Sequence, residues 1–279
     1  MNEQRKEGIV KIFLWITGII SVFVLLSIIF YVFVNGVGVI SLEFLTGKPY
    51  RFEYGGILPQ IVGSLFLITI CLLFAAPIGI GSGIYLAEYA SDNLFTKIIR
   101  FFVETLAGIP SIIIGMFGLA FLVHYLFGFS VLSGGLALGF MILPWTVRVS
   151  EEAVRAVPKS YREASLSLGA TKWQTVWNVV LKSATPSIIT GVLLGIGKAI
   201  GETAVVLLTA GSGLEAFLPI SIFDAVGSLP VYIYMLATQG HTSAAFDRAY
   251  GASLVLITMF LIINLGALFL RNYLIRRQR

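Results

Sequence analysis

Runs free of Asp, Glu, Lys and Arg cover residues 12–42, 54–87, 105–147 and 249–270. Each meets or exceeds the roughly 20 residues a helix needs to cross the hydrocarbon core of a bilayer, and each is too long for a buried helix of a soluble domain. A turn fits at "FGFSVLSGG" (127–135), where Gly and Ser interrupt the third run. With it, the pattern predicts six spanning helices, near 12–34, 61–86, 101–126, 132–149, 186–211 and 250–271. The expected fold class is thus an all-α integral membrane protein of six transmembrane helices. A first helix with an external loop would occupy 1–60, the main transmembrane domain 61–271, and a basic tail 272–279.

The stretch "LEAFLPISIFDAVGSLPVYIYMLATQG" (214–240) is apolar enough to resemble a seventh span, yet it carries Glu215, Asp224, Pro219 and Pro230. Charge decides its place. With six spans, 15 of the 19 Lys and Arg residues fall on the side of the termini. Three (Lys48, Arg51 and Arg248) fall on the other side, and Lys198 lies within a span. The positive-inside rule then sets both termini in the cytoplasm of a multi-pass cell-membrane protein, and a seventh span would violate it. Residues 214–240 are expected outside as an interfacial or re-entrant element, with Tyr232 and Tyr234 at the headgroup level.

Composition agrees: 57% of residues are hydrophobic and 12% charged, against about 25% charged in soluble domains. The net charge of +5 does not argue for nucleic acid, because the basic residues sit at span ends rather than on a soluble face. The run after Arg5, Lys6 and Lys11 is too long for a signal peptide and lacks an A-x-A site, so it is read as an uncleaved first span. The one cysteine, Cys71, cannot form an intrachain disulfide. His124 and His241 lack the companions that zinc spacing requires. "GIGSGIY" (79–85) has no βαβ context and is read as helix packing. Arg100 and Glu104 are expected to pair at i,i+4 at the inner face, and Pro77, Pro110 and Pro144 to kink spans or free carbonyls. No G-x-x-x-x-G-K-[ST] occurs, so the chain has no P-loop route to ATP. No acid/base pair outside the spans argues for an enzyme, and no cofactor or metal is expected.

The long connection 148–186 carries two helix signals around a corner. Pro158 followed by "KSYREASLSL" starts one helix, and Gly169 can take the left-handed conformation that ends it. Thr171 and Gln174 form a T-x-x-Q capping box that opens the next. The expected product is a short helix on a fixed elbow, projecting from the membrane.

"EASLSLGA" (163–170), followed by an apolar helix and Pro186, resembles the EAA loop of permease subunits of binding-protein-dependent ABC importers, a MetI-like architecture. The resemblance implies that Glu163, Ala164, Ser165 and Gly169 belong to a coupling loop that docks on a cytoplasmic ATPase; Ser165 stands where the motif has Ala. "LAGIPSIIIGMFGL" (106–119), "AIGETAVVLLTAG" (199–211) and "SLPVYIYMLA" (228–237) are similar to permeases of phosphate ABC transporters, the last two to the PstA rather than the PstC branch. The likeness covers about 55–275. It implies a second, PstC-like permease subunit, two PstB-like ATP-binding subunits and a PstS-like external phosphate-binding protein as partners, besides the lipid bilayer.

Lys198 and Glu202 are four apart inside a predicted span, where each charge costs about 2.5–3.5 kcal/mol on insertion scales. One reading makes them a pair on one helix face, locking helices beside the small-residue steps Gly191-x-x-x-Gly195 and Gly197-x-x-x-Gly201. The other sets them on a translocation path, where Lys198 meets a passing anion and Glu202 limits how tightly it is held. The family resemblance favours the path. The family commonly has arginine where Lys198 stands, and a lysine attracts an oxyanion only as a point charge. Another oxyanion as cargo (molybdate, sulfate or phosphonate) and a proton-coupled carrier using Glu202 remain as alternatives.

Overall fold

The computed structural model describes residues 3–50, 54–212 and 217–278. Arg51 and Glu215, named above, lie outside them, as does Arg279 of the basic tail; so do the side chains of Arg5, Lys6, Arg276 and Arg277. The helices are α1 (Glu3–Gly36), α2 (Leu42–Thr46), α3 (Leu58–Glu88), α4 (Leu94–Ala107), α5 (Ser111–Gly118) with a π-helical extension over Leu119–Phe127, and α6 (Val131–Arg155). They continue as α7 (Lys159–Ser167), α8 (Lys172–Thr175), a π turn Val176–Val180, α9 (Leu181–Ile200), α10 (Ala204–Thr209), α11 (Leu229–Gln239) and α12 (Ser243–Gln278). A two-residue antiparallel pairing of β1 (Pro49–Tyr50) with β2 (Tyr54–Gly55) closes the loop before α3.

Among the described residues, five helices are long and apolar enough to cross a bilayer: Val10–Val39, Leu58–Glu88, Val131–Arg155, Lys172–Ile200 and Ser243–Tyr273. The third expected span, 101–126, is not one straight helix. α4 and α5 meet at 98° across Gly108–Pro110, because Pro110 has no N–H for the helix ladder and disfavours helical backbone at Ile109. The fifth is also corrected. It starts at Lys172 and its continuous helix ends at Ile200, where Gly201 caps it, so 201–211 holds a break and the short α10.

α3 and α6 form the centre. Along α3, Gly79 and Gly83 lie on α6: a Cβ at Gly79 would meet Thr146 Cβ at 2.7 Å, and one at Gly83 the Val147 carbonyl at 2.7 Å. "GIGSGIY" is therefore a packing surface. On α9, Gly191 faces Val149 and Gly195 faces Trp145 of α6, and the Trp145 indole N–H donates to the Gly191 carbonyl at 3.0 Å. The second step does not pack as a unit, since Gly197 faces Phe260 of α12 while Gly201 ends the helix in open space.

The stretch 217–240 folds back on the bundle. α11 has eleven residues, about 16 Å of helix, half of what a hydrocarbon core requires. Its start is anchored on α3 by the Leu229 N–H donating to Ser64 Oγ at 2.9 Å. The preceding loop covers the start of α6: Val131 and Leu132 donate to the Asp224 and Ile222 carbonyls, both at 2.9 Å. Buried irregular backbone is thus paired within the protein. Tyr232 corrects the interfacial expectation. It is fully buried and hydrogen-bonds to Arg248, whose guanidinium lies 5.1 Å from the Phe44 ring centre.

The α3–α6 contact is open to test. Gly83→Ala places a methyl against Ser150 Cβ at 2.6 Å and Glu151 N at 2.8 Å, and overpacking of this kind costs about 1–3 kcal/mol. Gly81→Ala, whose methyl meets nothing within 4 Å, is expected to be neutral or to gain about 0.5–1 kcal/mol in helix propensity. Thermal unfolding in detergent should therefore rank Gly83→Ala below wild type and Gly81→Ala at or above it.

Candidate functional site

Two places in the fold bring together the predicted site residues: the elbow 158–175 at one end of the bundle, and the helix break around residue 201.

The elbow forms as its local chemistry dictates. Pro158 is the N-cap of α7, and Gly169 takes φ +84, a conformation only Gly adopts without strain. The Gln174 N–H donates to Thr171 Oγ1 at 3.3 Å, and the Thr171 N–H donates to Gln174 Oε1 at 2.9 Å, so both halves of the capping box are closed. Ser165 Oγ and Thr175 Oγ1 share a hydrogen bond at 2.9 Å. That bond gives the serine a structural purpose an alanine could not serve: it ties α7 to α8. Glu163, Ala164 and Gly169 are exposed, and Leu168 beside them is 90% exposed. An apolar knob held on a rigid corner is suited to insertion into a groove of another protein.

Sequence reasoning missed what bolts the elbow down. Arg162 Nε donates to Glu88 Oε1 at 2.9 Å, Nη1 to the Val157 carbonyl at 2.7 Å and Nη2 to the Val154 carbonyl at 2.9 Å. Lys172 adds a cation–π contact to Tyr89, 4.9 Å from its ring centre. The one available signal was Glu88 itself, an acid closing a 34-residue uncharged run. Its partner lies 74 positions away. Nearby, Arg100 does not pair with Glu104. It donates to Glu151 Oε1 at 2.9 Å and to the Leu86 carbonyl at 3.2 Å, because α4 lies across α3 and α6 and a cross-helix acid is nearer.

At the break, Lys198 and Glu202 do not pair. Helical geometry would align them, but the helix ends at Ile200 and turns Glu202 away. Its carboxylate accepts from the Ala204 and Val205 N–H groups at 3.2 and 3.4 Å, which are orphan donors of α10's first turn. Lys198 shares an exposed stripe with Leu194 and Gly201, and among the described residues it has no ion-pair partner. α10 beneath the break packs on α5, where Gly115 lets Val205 Cα approach to 3.1 Å of its would-be Cβ. His124 and His241 are exposed, and no group of three metal-ligating side chains occurs among the described residues.

Apolar helices of spanning length, a break at the end of the fifth expected span and a protruding elbow define a multi-pass membrane protein. Residues 79–279 match the model of the binding-protein-dependent transport system inner membrane component, and the chain belongs to that family. It is 39% identical over 267 residues to the probable ABC transporter permease protein YqgI of Bacillus subtilis, covering 91% of each chain. It is 35% identical to the phosphate transport system permease protein PstA of Haemophilus influenzae, over 89% of this chain and 87% of that protein. A probable PstA of Methanocaldococcus jannaschii is also 35% identical, with 91% and 90% covered. In fold, the chain is similar to a subunit of a bacterial alginate ABC transporter solved with an alginate-bound periplasmic protein (TM-score 0.69, 18% identity, 94% and 93% covered). The MetNI methionine ABC transporter in an inward-facing conformation gives a TM-score of 0.58 at 18% identity, with 79% and 96% covered.

Gly169 tests the corner. A Cβ there meets nothing within 4 Å, so any cost of substitution is backbone strain alone, about 1–2 kcal/mol for a β-branched residue at positive φ. Gly169→Val is expected to lower the melting temperature and raise protease cleavage at the elbow, with Gly169→Asn closer to wild type. Equal behaviour of the two variants would mean the corner is not held at positive φ.

Proposed function

We propose that this chain is the permease subunit of an ATP-driven importer of inorganic phosphate, with the elbow on the cytoplasmic side and Lys198 on the translocation path. The observation that carries the path is the exposed ammonium of Lys198, without an ion-pair partner among the described residues, on an apolar helix at a break. Such a charge requires either an aqueous lining or a partner. An anion passing at the surface between two permease subunits meets that requirement. As a compact point charge, the ammonium attracts a phosphate without the bidentate grip of an arginine, which suits a site that must release its cargo. Glu202 sets a negative charge one turn further on, limiting residence. The phosphate relatives support the cargo.

The excess of Lys and Arg at the elbow end supports a cytoplasmic elbow and cytoplasmic termini. In this reading Glu163, Ala164, Ser165 and Gly169 belong to the piece that enters a groove on one of two ATPase subunits. ATP binding draws the ATPases together, the elbow moves with them, and rigid-body rocking of the spans opens the path toward an external binding protein. A distinct second permease subunit completes the path, since one chain supplies only one wall.

Reconstitution with the partner subunits and labelled phosphate tests the assignment. Lys198→Gln is expected to lower uptake about tenfold or more while the subunits still co-purify, and Lys198→Arg to retain most of it. The exchange Lys198→Glu with Glu202→Lys should not restore transport, because the two side chains do not form a pair. Full uptake by Lys198→Gln would take this residue off the path. Competition by excess sulfate or molybdate would reassign the cargo.

A further inference from the structure

The geometry points to Arg162 and Glu88 as the latch that carries motion of the elbow into the α3–α6 pair; both act as positioning residues. This rests on the reading that the elbow meets an ATPase. A protruding helix joined to the membrane only through its own chain would pull on α6 through Ala156–Pro158 and on α9 through Ala170 and Thr171, with α3 left behind. Arg162, the fourth residue of α7, removes that slack. Its guanidinium holds the carboxylate of Glu88, the last residue of α3, the carbonyl of Val154 in the last turn of α6 and that of Val157 in the turn that follows. The Val154 carbonyl, in the last turn of α6, also accepts from the Val157 N–H at 3.3 Å, so Arg162 fastens the turn in which α6 ends.

One planar fork therefore joins three helices, a geometry an ammonium cannot reproduce. The pair is sheltered, with Glu88 8% and Arg162 21% exposed at the side chain, so water and salt compete weakly for it. The C-terminal half of α7 is tied separately to α8 by Ser165 and Thr175. α7 is thus fastened at two points to two different helix groups, and tilting it moves both. A cleft of about 370 Å³ beside the latch is lined by Arg155, Lys159 and Glu163 as well. Arg155 is held by Glu151 at 2.9 Å, while Lys159 has no ion-pair partner among the described residues and is the one cation free to replace Arg162 at Glu88. The test therefore needs both members of the pair.

The complete transporter in proteoliposomes, with binding protein and phosphate, gives the readout as phosphate moved per ATP hydrolysed. Glu88→Gln, Arg162→Gln and the double variant are each expected to lower that ratio about fivefold or more, the double no further than the singles, because the pair acts as one unit. Arg162→Lys should recover part of it. If hydrolysis and uptake fall in the same proportion, the pair is a folding brace and the latch is overturned. An unchanged ratio in all variants also overturns it. Wild-type transporter whose hydrolysis does not respond to phosphate-loaded binding protein would overturn the proposed function itself, and with it this inference.

Discussion

The approach of α3 to α6 along a glycine-lined seam is the contact on which the other features hang. A bilayer supplies no hydrophobic drive to bring helices together, so association depends on close packing and on polar ties at the ends. Gly79 and Gly83 let α3 lie so near α6 that an added methyl would collide with the Thr146 side chain at the first and with α6 backbone at the second. Gly134, Gly135 and Gly139 of α6 return the favour at the other end, against Leu67, Ile70 and Phe74. With that pair fixed, each end of it becomes a platform. One end carries Glu88 and Glu151, which hold Arg162 of α7 and Arg100 of α4. The opposite end receives the loop before α11, through Ser64 on α3 and the first amides of α6.

The breaks follow from the same solvent constraint. Where a helix stops inside the apolar region, its loose donors and acceptors need partners within the protein. Glu202 provides them for α10, Ser130 and Asn93 cap the starts of α6 and α4, and Ser228 caps α11. A carboxylate that is half capping group and half solvent-facing charge explains why a costly residue sits in an apolar stretch without an ion-pair partner. The lysine one turn earlier has no such internal reason, which is why it carries the functional reading.

How much of this was legible in the sequence depends on the range of the interaction. Features made by neighbours along the chain could be read directly: the proline start of α7, the positive φ of Gly169, both bonds of the Thr171–Gln174 box, and the packing use of "GIGSGIY". Hydrophobic runs located the spans, but a run shows apolar length and not straightness. Pro110 was visible as a disturbance, whereas a bend of 98° depends on what α4 and α5 each pack against. The Lys198–Glu202 and Arg100–Glu104 pairs failed for one reason. The i,i+4 rule assumes a continuous helix with no better partner, and a helix end removed the first condition while Glu151 removed the second.

Tyr232 shows the same limit from the other side. A tyrosine among apolar residues near a span end suits the headgroup region if nothing covers it. Here the packing of α11 on the bundle covers it, and Arg248 supplies the polar partner that the headgroups would have offered. Arg248 was counted among the few cations of the far side, and its half-buried guanidinium, against Phe44 of α2 and Tyr232 of α11, spends that charge on holding α12, α11 and α2 together. The cationic character of that side is therefore weaker at the surface than the residue count implies. Lys48 is left as the one described basic residue there outside the spans that has no aromatic or carboxylate partner, and the electrostatic asymmetry between the two ends of the bundle is correspondingly larger.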